Sequence, residues 1–159
     1  MRRAMTPMKT PAVFLLAAVA AGAPAAHAET ASVAVDAVVV EPASPAPSTL
    51  CKLKVRLKNS GTQTVSLFAF SVTIDGEDVP TYKAHSYAIN VEAGTTGEID
   101  LNNFWSPSGV KSFDIRVALT EAQWVQVKKD GTATTTTPTG PVPGLPASAT
   151  LSVKMSPAK

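Results

Sequence analysis

The chain holds one cysteine, Cys51, and two histidines, His27 and His85, in 159 residues. These shortages remove most of the chemistry a small protein could carry. A single thiol forms no internal disulfide, so the fold must be held by packing alone. One thiol with one or two histidines does not make a tetrahedral metal site, and no metal or other cofactor is expected. Nucleophilic catalysis needs a nucleophile, a base and a group that orients the base. His85 lies in a loop-like stretch between Tyr82 and Tyr87 with no distinctive serine motif, so the expectation is a protein that is not an enzyme. Charged residues are also sparse, at 16%. Asp75, Glu77 and Asp78 cluster at a turn but lack the spacing of an EF-hand loop and read as a solvated acidic hairpin.

Long apolar runs are missing too. The longest, from Ala12 to Gly22, is about a dozen residues against the roughly 20 that a membrane span needs. It follows Arg2, Arg3 and Lys9 and is succeeded by small residues ending Ala26-His27-Ala28, the three parts of a secretory signal peptide over residues 1–28. The expectation is cleavage after Ala28 and an exported product of residues 29–159, periplasmic, secreted or on the cell surface, without membrane insertion. Taking away those three cations leaves 11 Lys and Arg against 12 Asp and Glu, a net charge of −1. The basic balance of the whole chain thus belongs to its leader, and nucleic acid is not an expected partner.

What the sequence does have is alternation. Cys51 to Lys58 switches between apolar and cationic at every step and runs into Asn59-Ser60-Gly61, a half-buried strand ending in a turn. Cys51, Leu53, Val55 and Leu57 share one face, with Lys52, Lys54, Arg56 and Lys58 on the other. Cys51 is therefore expected to be a buried, inert thiol. Further strands are predicted at Val33–Val39, with Val33, Val35, Ala37 and Val39 on one face, and at Thr64–Ile74. There Phe68, Phe70, Val72 and Ile74 oppose Val65, Leu67 and Ala69. Asp75-Gly76 marks a hairpin with a return strand at Glu77–Tyr82. Ile99 and Leu101 are expected inward in the next strand, Phe113 to Leu119 form another, and Ala147 to Met155 close the sheet. The Thr-, Pro- and Gly-rich stretch at 128–146 reads as a long loop within the domain. The sum is an all-β, immunoglobulin-like antiparallel sandwich of about seven to nine strands.

The succession Lys52 to Thr62, then Phe70-Ser71-Val72-Thr73-Ile74-Asp75-Gly76, then Val91-Glu92-Ala93-Gly94 and a strand closing at Phe104-Trp105 resembles the CARDB-type bacterial immunoglobulin-like domains over residues 31–120. The resemblance implies an adhesive, spacer or accessory module of the bacterial envelope. The candidate binding residues are Trp105, Phe104, Trp124, Tyr82, Tyr87, Lys52, Lys54 and Arg56. Both tryptophans are expected to plug the sandwich, as Trp does in such folds; exposed and coplanar, they would instead offer a sugar a stacking platform. The cations are expected to be answered across the sheet by Asp36, Glu98 and Asp100. Three functions follow as expectations: a protein-contact module in the cell envelope, a carbohydrate-binding module using Trp105 or Trp124, and an accessory subunit that binds by edge-strand addition.

Overall fold

The computed structural model describes residues 32–83 and 85–158; the leader expected at 1–28 lies outside them. Nine strands form: β1 (Val33–Glu41), β2 (Leu50–Asn59), β3 (Thr64–Ile74), β4 (Glu77–Asp78), β5 (Ser86–Tyr87), β6 (Thr96–Trp105), β7 (Ser112–Asp130), β8 (Ala133–Pro141) and β9 (Ala147–Lys154). The expected all-β antiparallel sandwich is what they build. One sheet has the order β1-β2-β6, and the other is built on β3 and β7. β2 runs between β1 and β6, the place expected of the second strand in an immunoglobulin-like sheet. In the second sheet β4 and β5 pair with β3, while β8 and β9 lie end to end along the far edge of β7.

The core lies between the sheets. From one side come Cys51, Leu53, Val55, Leu57, Ile99, Leu101 and Phe104; from the other come Phe68, Phe70, Val72, Phe113, Ile115, Val117 and Leu119. Burying an aliphatic side chain of this size contributes roughly 1.5–3 kcal/mol. The period-two pattern of β2 and of the first half of β7 therefore fixes which face turns inward.

Bulges shift that pattern elsewhere. In β1 the register breaks between Val35 and Ala37, so the buried residues are Val33, Val38 and Val40, and the expected inward Ala37 and Val39 are half-exposed. In β3 it breaks between Ser66 and Ala69, where Leu67 adopts φ 56°, and Val65 joins Phe68 and Phe70 in the core although strict alternation places it on the other face. The extra residue of a bulge inverts the phase of everything beyond it. A further bulge, in β6, bears on the functional site.

Two further segments differ from expectation. The return strand stops at Asp78, and Pro80–Tyr82 forms a single 3₁₀ turn, because Pro80 starts such a turn and offers no N–H to a ladder. The stretch read as a loop at 128–146 is instead β8 and its turns. β7 continues to Asp130, the chain reverses through Gly131 at φ 60° and Thr132, and Ala133 pairs back with Asp130. β8 is an edge strand, where Pro138 and Pro141 are tolerated. Asp130-Gly131 is the same dipeptide that signals the hairpin at 75–76, where Asp75 and Gly76 both take positive φ as expected.

Asn59 holds the corner between the sheets. Its fully buried amide donates to the carbonyls of Gln63 (2.8 Å) and Val91 (3.0 Å) and accepts from the N–H of Gly61 (2.9 Å). The open side of the sandwich, between β6 and β4–β5, is sealed by two tyrosines. Tyr82 is fully buried and donates its hydroxyl to the Asn102 carbonyl, while the Tyr87 ring meets Phe70 edge-on at 5.7 Å.

Candidate functional site

The outer face of the three-stranded sheet carries four of the eight candidate residues, Trp105, Lys52, Lys54 and Arg56. β6 carries Asn102 and Asn103 opposite Lys52, one residue more than β2 offers there, since Cys51 pairs with Phe104 and Leu53 with Leu101. That bulge turns Phe104 inward, edge-on to Phe113 at 6.0 Å, and Trp105 outward. Trp105 is 67% exposed and faces its cross-strand partner Leu50, itself 48% exposed. Trp105 does not plug the sandwich.

The backbone beneath this pair is firmly tied. The Ser106 hydroxyl donates to the Ala46 carbonyl (2.7 Å) and accepts from the Thr49 N–H (2.9 Å), the Ser106 N–H reaches the Thr49 carbonyl (2.8 Å), and Ser48 donates to the Ser106 carbonyl (3.2 Å). Ser106 is buried, and together these bonds hold the residues next to Leu50 and Trp105 in one arrangement. Along the same face stands a shallow depression of ≈ 230 Å³ lined by Lys52, Leu53, Lys54, Asp100, Leu101 and Asn103. Asn103 and Trp105 are two residues apart on one strand, so the depression and the indole adjoin.

The cationic row is flanked by acids on both sides. Lys54 lies opposite Asp100 and Arg56 opposite Glu98 on β6, as the expected charge pairing requires. On β1 the acid in contact is Glu41, whose carboxylate is 3.3 Å from Lys54 Nζ; Asp36 sits in the bulge. The Glu41 carboxylate, hydrogen-bonded and opposite in charge, holds the Lys54 ammonium above its ordinary range, with Asp100 and Glu98 adding to the same effect. Among the described residues the row thus holds one ion pair, Lys54–Glu41, and faces Glu98 and Asp100 on β6 without ion-pair contact, and such exposed charges contribute little to stability.

The other candidates fall elsewhere. Tyr82 and Phe104 are buried and unavailable to a ligand, and Tyr87 is half-buried. Burial pushes both tyrosine hydroxyls above the usual phenol range, and the Tyr87 oxygen sits beside the Asn102 backbone without a hydrogen bond of good geometry. Trp124 packs against the core, and a Cβ placed on Gly61 would come within 2.6 Å of its ring. Trp105 stands by Leu50 at the start of β2 and Trp124 by Gly61 just past its end. The ten residues between separate them by roughly 30 Å, so they cannot form one platform. Cys51 is fully buried with its thiol toward the Thr49 carbonyl, and burial pushes that thiol up.

Protein-family models, characterised proteins and solved structures give no match to this chain.

His85 is exposed, Asp78 is paired with Lys83 at 2.6 Å, and Asp75 accepts a hydrogen bond from the Asp114 N–H at 2.8 Å. Among the described residues no group of three or more His, Cys, Asp or Glu side chains could hold a metal ion, and no helix is long and apolar enough to cross a membrane. Leu50 is the functional candidate that sequence reasoning missed. As the residue before the alternation begins it reads as strand entry, and only its pairing with Trp105 gives it a role.

Proposed function

We propose that the protein is an exported, non-catalytic immunoglobulin-like module that acts by protein contact in the cell envelope, through the Leu50–Trp105 end of the outer face of the three-stranded sheet. The observation that carries this reading is the 67% exposure of Trp105 on a backbone tied down by Ser106. An indole left mostly in water while its neighbour Phe104 fills the core contributes little to packing. An aromatic next to a leucine, with Lys52 and Asn103 beside the pair and Lys54 and Asp100 further along the same face, combines an apolar centre with polar surroundings as interfaces do. The resemblance to CARDB-type domains supports the same reading, with an adhesive or accessory role. Capture of an envelope protein by the wild-type chain, lost with Trp105→Ala and reduced with Leu50→Ser, is the expected result. Capture unchanged in both variants, or turnover of a small substrate by the purified chain, overturns it.

A second reading has one observation of its own. The exposed Trp105 face with Asn103, Lys52 and Asp100 alongside also suits a sugar ring stacked on the indole and hydrogen-bonded at its edge. Glycan-array binding by the wild type that disappears in Trp105→Ala and persists in Trp124→Ala would favour it; an empty array removes it.

A further inference from the structure

We infer that the free edge of β6 accepts an extended segment of a partner protein whose alternate residues are cationic, so that the three-stranded sheet gains a fourth strand. This deepens the protein-contact reading and rests on it.

β6 is ten residues long, pairs with β2 on one side and has no strand on the other. On that free side the Asn102 carbonyl takes the Tyr82 hydroxyl. Among the described residues no backbone group of another segment bonds along the rest of it. Among the described residues the other edges are guarded, that of β9 by lying alongside β1. β1 is broken by its bulge and lies alongside β9, β4 and β5 are two residues each, and β8 carries Pro138 and Pro141. Short edges, bulges, prolines and covering are the ordinary protections against unwanted pairing. β6 has neither proline nor a covering strand, and its bulge lies at Asn102–Asn103, which leaves Thr96 to Leu101 regular.

Its own protection is charge. Glu98 and Asp100 stand on its outer face, exposed, and among the described residues neither is in an ion pair. Two copies of this edge laid together would juxtapose carboxylates, which disfavours self-pairing. A strand with cations two residues apart meets the opposite situation, and the molecule already contains an example. β2 brings Lys54 against Asp100 and Arg56 against Glu98 on the other side of the same strand. An incoming segment of that pattern would satisfy the unpaired backbone groups of β6, set its cations beside Glu98 and Asp100, and lead an apolar residue further along toward Trp105.

The test uses the peptide Lys-Leu-Lys-Val-Arg-Leu-Lys, capped at both ends, as probe against the whole folded chain, followed by NMR shifts and amide exchange. The expected result is slowed exchange along residues 96–102, with binding weakened about tenfold in Glu98→Gln/Asp100→Asn and in a control peptide whose cations are replaced by Glu. The two substitutions are at exposed, uncrowded positions, and the variant's unchanged spectrum outside β6 verifies its fold. Equal binding of the acidic peptide, protection away from β6, loss of protection in β2, or no binding overturns the inference. Peptide binding that fails while Trp105-dependent capture persists removes strand addition and leaves the Trp105 surface standing.

Discussion

Asn59 shows how much of this fold depends on one polar side chain. Alternation puts position 59 on the inward side of β2, where a further apolar residue would extend the core, yet an amide stands there, fully buried. Its three hydrogen bonds tie the end of β2 to Gly61, Gln63 and the Val91 carbonyl, which also belongs to the bridge between Val91 and Val65. A leucine, branched at the same atom but larger, would leave the Gln63 carbonyl and the Gly61 N–H without these partners, at a cost of about 1–3 kcal/mol. Asn59→Leu is therefore expected to lower the melting temperature by several degrees, despite raising apolar content. An unchanged thermal transition by circular dichroism would show that water replaces the amide. In the sequence Asn59 reads only as the start of a turn, because its hydrogen-bond partners are set by the distant Val91 as much as by its neighbours.

The strands divide by how far local pattern determines them. β2, the first half of β7 and β9 follow a strict alternation, and their inward faces are legible residue by residue. β6 is not, because Ile99 and Leu101 set a phase that would take Trp105 inward, and the Asn102–Asn103 bulge reverses it. Nothing in the pattern distinguishes Phe104 from Trp105 as the residue to bury, so the exposed tryptophan at the centre of the proposed surface is visible only in the fold. The β7–β8 hairpin was hidden for a different reason. Its residues are exposed almost throughout from Gln126 to Thr139, so burial imposes no alternation on them. β3 ends its pairing at Val125, and from Gln126 onward the two strands continue as a ribbon that, among the described residues, hydrogen-bonds to the rest of the molecule through a 3.4 Å contact from Asn90 to Thr136. Two-stranded ribbons are marginal on their own. Amides from Gln126 to Thr137 are thus expected to exchange much faster than those of Phe113 to Leu119 on the same strand. Deleting Lys128-Lys129 together with Thr134-Thr135 removes two facing pairs and preserves register, and should change stability by about 0.5 kcal/mol or less. A larger loss in chemical denaturation would mean the ribbon braces the sandwich.

At the scale of the whole molecule, both tyrosines of the chain seal the same open side. Their hydroxyls are pushed above the ordinary phenol value of about 10 by burial. Below that pH both folded and unfolded states hold the protons, and the seal is at full strength. Above it the unfolded chain ionises first, so stability falls as pH rises toward the folded-state values. Phenolate absorbance is accordingly expected to stay low past pH 10 and then to appear together with loss of the β-sheet signal; phenolate forming in a chain that keeps its full circular dichroism would contradict it. The molecule also has two distinct ends. Leu50, Trp105 and Lys154 lie at one, and Val33, Trp124 and the ribbon at the other, because Val33 pairs with Asn59 and Lys154 with Ser112. β1 and β9 therefore run in the same direction, side by side, from opposite sheets. A pull applied through Val33 and Lys154 acts along these strands and loads the β1–β2 and β9–β7 ladders in shear, where many hydrogen bonds resist together, instead of unzipping them one at a time.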